Sequence, residues 1–411
     1  MSSGAARVPE GMTSLGTPRA VDPAAVEAEL ARLALGPSAD PTHGADPTHG
    51  VDPRRAAHTT DGADTTDEGT SRGTDTSTAT RACMSNLLVY CADPDVASRV
   101  PLELGTLVEQ HPARVLLLAG DDPTVRGALA AEVSALCHLA AGGRQVCAEH
   151  VRLSAAPGHR ARLPGVARSL IVGDLPTALW WITREPPTKS ELFGELVRMA
   201  SQLIYDSADF DSPEAAIAAL ARQDAERSEG PRLTDLAWLR LEPWRRMIAD
   251  ALDPARVPGA IGAIDRVEIE HGPRAVGQAW LTVGWLAACL GWHPNIVSAR
   301  IGGAQSARFA VSAETGSPVE VALRETEGPR TGVSSVTVHA RRAPVDVTVR
   351  VMRLDATRLE LTLTEETTST HLVSRPDPKA GALVAGQLSE RGRDISFGPA
   401  LAAAAALAVG Q

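Results

Sequence analysis

The two halves of this chain repeat their apolar residues with different periods, and that contrast limits what it can fold into. In the first half the runs are unbroken, as in Leu87-Leu88-Val89-Tyr90-Cys91 and Val115-Leu116-Leu117-Leu118. Such runs suit strands covered on both faces, the condition of a largely parallel sheet between helices. In the second half the period is two. Val319, Val321 and Leu323 alternate with Glu320 and Arg324, Val336 and Val338 with Thr337 and His339, and Leu359, Leu361 and Leu363 with Glu360 and Thr362. Val345, Val347, Val349 and Val351 alternate with Asp346, Thr348 and Arg350. That is an antiparallel meander with one wet face. Ahead of it, Pro273 opens a helix, Arg274–Leu290, that is apolar nearly all round and therefore buried. Gly277 and Gly284 share one of its faces and allow close backbone approach. The fold class is mixed α/β and α+β: an N-terminal α/β domain with a largely parallel sheet, then a C-terminal domain with an antiparallel meander packed on a buried helix.

Turn and cap residues set the expected boundaries. Residues 1–20 read as frayed, and Asp22-Pro23 opens a short helix through Leu35 that docks by Val26, Leu30 and Leu33. The stretch 37–82 is low in complexity and carries the repeat Asp40-Pro41-Thr42-His43-Gly44 and Asp46-Pro47-Thr48-His49-Gly50. Its few apolar residues predict a disordered linker rather than a metal site at His43 and His49. A strand is expected at Asn86–Ala92, a helix from Asp93-Pro94 to Gln110, a strand at Arg114–Ala119, then a helix, a strand and a further strand at Leu170–Val172. Helices follow at Glu191–Ala200, Pro213–Arg222 and Leu233–Leu252, with a strand at Leu203–Asp206 and a closing helix at Pro399–Val409. These place an N-terminal helix and linker in 1–83, the α/β domain in 84–254 and the α+β domain in 255–411.

The chain has 411 residues and a formal charge of -10, which argues against a nucleic-acid binder. No apolar stretch is long enough to span a membrane, and the first residues lack a signal peptide's apolar core. Five dispersed cysteines (Cys83, Cys91, Cys137, Cys147 and Cys289) do not make a secreted disulfide framework. The expectation is a cytoplasmic protein with mostly reduced thiols.

No catalytic motif emerges. The first strand leads into Asp93-Pro94-Asp95, an acidic helix start that would repel a pyrophosphate, and not into a glycine-rich loop. A phosphate-binding loop and a hydrolase elbow are both absent, so no cofactor is expected and the chain reads as non-catalytic. Gly302-Gly303 between Arg300 and Arg308 reads as a turn, and Arg245-Arg246 and Arg341-Arg342 as solvated basic spots. Cys137-His138 and Cys147…His150 form one cluster of soft ligands, without the paired-cysteine spacing of a zinc knuckle. Cys137 and Cys147 could instead form a redox pair, or be plain thiols flanking the glycine turn Gly142-Gly143.

Trp180-Trp181 remains, in a chain with only 3% aromatic residues. Strand neighbours point to opposite faces, so a core on one side buries only one indole. The other ring must meet a second layer, a partner or water; the reading taken is a partner contact, with Arg184, Pro186, Pro187 and Lys189 on the following loop as its rim.

Around these residues a resemblance can be stated. Asp174-Leu175-Pro176 with Leu179-Trp180-Trp181, His111-Pro112-Ala113-Arg114, Gly143-Arg144-Gln145-Val146-Cys147-Ala148-Glu149-His150, Tyr205-Asp206-Ser207 and Leu241-Glu242-Pro243-Trp244-Arg245 follow one another along the chain. In that order they resemble OpcA, the glucose-6-phosphate dehydrogenase assembly protein family. The resemblance covers residues 84–300 well and the meander more loosely, and the insert at 37–82 departs from it. It implies a non-catalytic factor that binds glucose-6-phosphate dehydrogenase, promotes its active oligomer and supports NADPH supply in the oxidative pentose phosphate pathway. The alternative from the residues alone is a small-molecule sensor that binds a sugar phosphate or nucleotide between its two domains.

Overall fold

The computed structural model describes residues 12–20, 22–34, 80–81, 83–139, 145–187, 190–226, 230–294, 307–313, 317–327, 332–390 and 392–409. Most of the 37–82 insert, with His43 and His49, lies outside these residues, as do Gly302, Gly303 and Lys189.

The first sheet is built from β1 (Met12–Ala20), β2 (Thr80–Arg81), β3 (Ser85–Cys91), β4 (Ala113–Ala119), β5 (Leu129–Leu139), β6 (Gln145–Ala155), β7 (Thr177–Ile182), β8 (Gln202–Tyr205) and β9 (Arg232–Asp235). Its central strands are parallel and lie in the order β6-β4-β3-β7-β8-β9. The chain thus starts in the middle, winds outward on one side and then on the other, the doubly wound arrangement of α/β proteins. β5 and β1 extend one edge antiparallel. The helices of this half are α1 (Pro23–Ala34), α2 (Pro94–Ala97), α3 (Val100–Glu103), α4 (Gly105–Gln110), α5 (Leu163–Leu170), α6 (Glu191–Val197), α7 (Pro213–Glu226), α8 (Leu236–Arg240) and α9 (Glu242–Ala251).

The second sheet contains β10 (Ile264–His271), β11 (His293–Pro294), β12 (Ala307–Ser312), β13 (Pro318–Glu325), β14 (Val333–Ala340), β15 (Val347–Arg353), β16 (Arg358–Thr364) and β17 (Thr368–Ser374), in the order β11-β12-β13-β10-β14-β15-β16-β17. β14, β15 and β16 form three strands of the expected meander and β17, not expected, extends it; β13, expected as its first strand, does not pair with β14. β10 was not expected; it sits between β13 and β14 and runs parallel to β13. The inner face of this sheet packs on α10 (Val276–Leu290), where Trp280 stacks on Phe309 of β12 at 5.3 Å. α11 (Ala380–Ser389) and α12 (Phe397–Val409) close the chain. Gly284 is where α10 meets α12: a Cβ there would lie 2.3 Å from the Ala400 carbonyl oxygen.

Several expected elements change. The helix expected over 93–110 divides into α2, α3 and α4, because Pro101 in the first turn of α3 cannot extend the preceding ladder. The helix expected before β6 is instead β5, and Leu170–Val172 is not a strand. Leu163, Ala167 and Leu170 form the buried stripe of α5, which starts at a proline-led turn. Residues 232–235 pair with β8, so the long helix expected over 233–252 begins only at Leu236, capped by Asp235. Residues 12–20 are a strand on β5 rather than frayed. α11, unexpected, returns to the first half and lies so close to α3 that a Cβ on Gly381 would overlap the Glu103 carbonyl.

Candidate functional site

β7 carries the tryptophan pair in the middle of the first sheet, with Val89 opposite Trp180 and Tyr90 opposite Trp181 on β3. The sheet is covered on both faces, and successive residues enter two separate cores. Leu88, Tyr90, Leu179, Trp181 and Leu203 join one, while Leu87, Val89, Ala178, Trp180 and Ile204 join the other. Trp180 is 4% exposed and Trp181 7%. Trp181 stacks on Tyr90 at 4.4 Å and meets Phe193 of α6 edge-on at 5.2 Å. The expectation that one indole is left over is therefore corrected. It assumed a core on one side, whereas α5 and α6 cover one face and α2–α4 with α11 the other.

The loop after β7 is partly open. Arg184 is exposed and forms a bidentate pair with Asp211, its Nε donating at 2.9 Å and its Nη2 at 2.5 Å. Pro186 is half-buried and Pro187 buried. Arg184, Pro186 and Pro187 thus share one loop at the carboxyl end of β7, while the rings they were expected to surround lie inside.

The strands that carry the soft-ligand cluster, β5 and β6, pair antiparallel. His150 is buried, its Nδ1 is 2.9 Å from the Ser134 hydroxyl, and burial pulls it down to about 4. No group of three or more metal-ligand side chains gathers among the described residues. The backbone sets Cys137 directly opposite Cys147 across the β5–β6 ladder, and Cys147 is disulfide-bonded. Cys83, Cys91 and Cys289 are free, and burial pushes the Cys91 thiol up to about 12. Arg245, expected in solvent, lies 3.4 Å over the Trp238 ring, and burial lowers it to about 10.

A cavity of about 330 Å3 opens between the carboxyl ends of β8 and β9 and the second sheet. Asp206 follows β8, and Arg240 at the end of α8 donates to it at 2.7 Å. Asp235, fully buried, caps α8 and accepts from the Ser207 and Ala237 amides at 3.0 and 2.9 Å. Burial, with the Asp206 charge behind it, raises Asp235 to about 7. From the second half come Arg274, whose φ is +66°, and Arg353, whose Nε donates to the Val333 carbonyl at 3.2 Å and which pairs with Asp377. Arg274 and Asp209 approach to 3.9 Å. Burial, then Asp206, raises the Asp209 carboxyl.

Two family profiles match in order. One, described as the glucose-6-phosphate dehydrogenase subunit N-terminal domain, matches residues 105–222; the other, the C-terminal domain of the same subunit, matches 231–401. The chain belongs to the OpcA family. The OxPP cycle protein OpcA of Nostoc punctiforme is 33% identical over 190 residues, 45% of this chain and 39% of that protein. Its counterpart in Synechocystis is 30% identical over 223 residues, 53% of this chain and 45% of that one. The matched region thus spans under half the length of these relatives. They are named as OpcA proteins and not as enzymes. A 3-ketoreductase from Actinomadura kijaniata is 13% identical over 79% of this chain and 97% of its own, with a TM-score of 0.43. The first profile ends within α7 and the second begins just before β9, whereas the reading from patterns divides the chain near Pro254. The alternative read from the sequence placed a ligand between the two domains but named none of the residues that line this cavity. Its residues come from separated turns, and only the register of β8 beside β9 brings them together.

Proposed function

We propose that this protein is a non-catalytic assembly factor that binds glucose-6-phosphate dehydrogenase and favours its active oligomer. The observation that carries the reading is the ordered match of both family profiles, together 105–222 and 231–401, to one chain. The mechanism is linkage: a binder that prefers the active form shifts its equilibrium by its differential affinity, and a tenfold preference is worth about 1.4 kcal/mol. The proposed contact is the loop after β7, through exposed Arg184 and half-buried Pro186. Trp180 and Trp181, both buried, hold the strand beneath the loop and do not touch the partner. No helix among the described residues is long and apolar enough to cross a membrane. A cytoplasmic location belongs to the same proposal.

The test is co-purification with, and activation of, the dehydrogenase from the same cell. The reading expects both, and expects Arg184→Glu to weaken both while the protein stays folded, since Arg184 and Asp211 are exposed. Loss of neither effect in Arg184→Glu would move the contact elsewhere, and absence of both effects in the unmodified protein would remove the proposal.

A further inference from the structure

The cavity between the halves has the volume and position of a ligand site. At about 330 Å3 it falls in the range of small-molecule pockets. It lies outside the carboxyl ends of parallel strands, where open α/β sheets bind their ligands. Both halves contribute: Asp206, Asp209 and Arg240 from the first, Arg274, Arg353 and Asp377 from the second.

Three guanidiniums and three carboxylates line the walls, and this balance narrows the ligand. A bare anion would meet three carboxylates at close range, and a neutral polyol would leave fork-shaped donors poorly used. A molecule with a phosphate at one end and hydroxyls at the other satisfies both sets. The phosphate accepts from guanidinium, and the hydroxyls donate to carboxylate. Trp244 also lines the cavity but is only 1% exposed, so it offers no ring face on which a base could stack.

The two arginines that come from the second half differ in how firmly they are held. Arg353 is locked by Asp377 and the Val333 carbonyl. Arg274 is not: its distance of 3.9 Å from Asp209 is too long for a hydrogen bond, although the two carry opposite charges. Its left-handed backbone is one that a non-glycine residue keeps only where its surroundings over-determine it, a condition that clusters at ligand sites.

We propose that this cleft binds a small phosphorylated polyol, with the phosphate between Arg274 and Arg240 and the hydroxyls on Asp209 and Asp206. The ligand bridges the two halves and fixes their relation. This inference does not depend on the dehydrogenase reading, because it is tested on the isolated chain.

The experiment is isothermal titration of the full chain with sorbitol 6-phosphate, inorganic phosphate and sorbitol. Sorbitol 6-phosphate should bind at least about tenfold more tightly than either fragment. Arg274→Gly, which the left-handed backbone accepts without strain, should weaken it by about tenfold, one charge-assisted phosphate contact. Arg240→Gln should do the same. Asp209→Asn should tighten inorganic phosphate, by removing a repulsive charge, while narrowing the advantage of sorbitol 6-phosphate. No binding of any probe, equal affinity for phosphate and sorbitol 6-phosphate, or an Arg274→Gly protein that binds unchanged would each overturn the proposal.

Discussion

Replacing Arg114 with methionine should destabilise the protein by about 3–5 kcal/mol, the cost of breaking a buried ion pair by removing one member. Arg114 lies at the start of β4 with its side chain 5% exposed. Its Nε donates to Glu149 on β6 at 2.5 Å, and its Nη1 donates to the Leu170 carbonyl at the end of α5 at 2.7 Å. The same guanidinium reaches Glu27 of α1, Nη1 donating at 2.5 Å and Nη2 at 3.2 Å. One side chain therefore ties two strands and two helices together. Methionine matches much of its volume, so the loss is electrostatic rather than a cavity, and the Glu149 carboxylate, 6% exposed, loses its guanidinium. The two acids should then separate in size. Glu27 is 42% exposed, so Glu27→Gln should cost about 0–1 kcal/mol, as surface pairs do. The double variant Arg114→Met with Glu149→Leu should recover most of the loss, since no charge is left stranded. Urea denaturation read by tryptophan fluorescence measures all three, and the Arg114→Met melting point should fall by on the order of 10 °C. The reasoning is wrong if Arg114→Met lies within about 1 kcal/mol of the parent, or if Glu27→Gln matches it.

Three other outcomes follow from named groups. Asp235 has a folded pKa raised from 3.8 to about 7, so the folded state binds the extra proton. Its contribution to stability is full below about pH 4 and is lost as pH rises through about 7. Asparagine keeps the cap without the charge, so Asp235→Asn should melt higher than the parent at pH 8 and flatten the pH profile between those limits. Gly284→Ala would put a methyl 2.3 Å from the Ala400 oxygen and 2.6 Å from the Ala404 Cβ. It should cost about 1–3 kcal/mol in chemical denaturation, and Gly277→Ala, at 3.3 Å from the Pro213 Cβ, clearly less. With Cys147 disulfide-bonded opposite Cys137, and Cys83, Cys91 and Cys289 free, thiol labelling in denaturant should count three thiols without reductant and five with it. Five in both conditions would return these cysteines to plain thiols.

The strands that read correctly did so for a local reason. Ser85–Cys91 and Ala113–Ala119 are buried throughout and carry the unbroken apolar runs 87–91 and 115–119, and β14 to β16 alternate, so covered and half-covered strands announce themselves by period. The failures share another cause. Leu129–Leu139 is rich in alanine and suits a helix by propensity, yet pairing along all of β6 makes it a strand. Residues 232–235 belong by pattern to the helix after them, and the open edge of β8 decides otherwise.

The sequence alone was sufficient for the class of the fold, for the buried helix with Gly284 at its crossing, and for the family resemblance, because each is written in residues close along the chain or in their order. Tertiary structure alone decided where the tryptophans point and where a ligand could sit. A strand's two faces are fixed by its pleat, but whether each face meets a helix or water depends on segments as distant as α6 and α11. Trp180 and Trp181 are both buried because the sheet has two cores. Arg240 and Arg274 line one cavity because the chain returns across the ends of β8 and β9, a juxtaposition that no local pattern encodes.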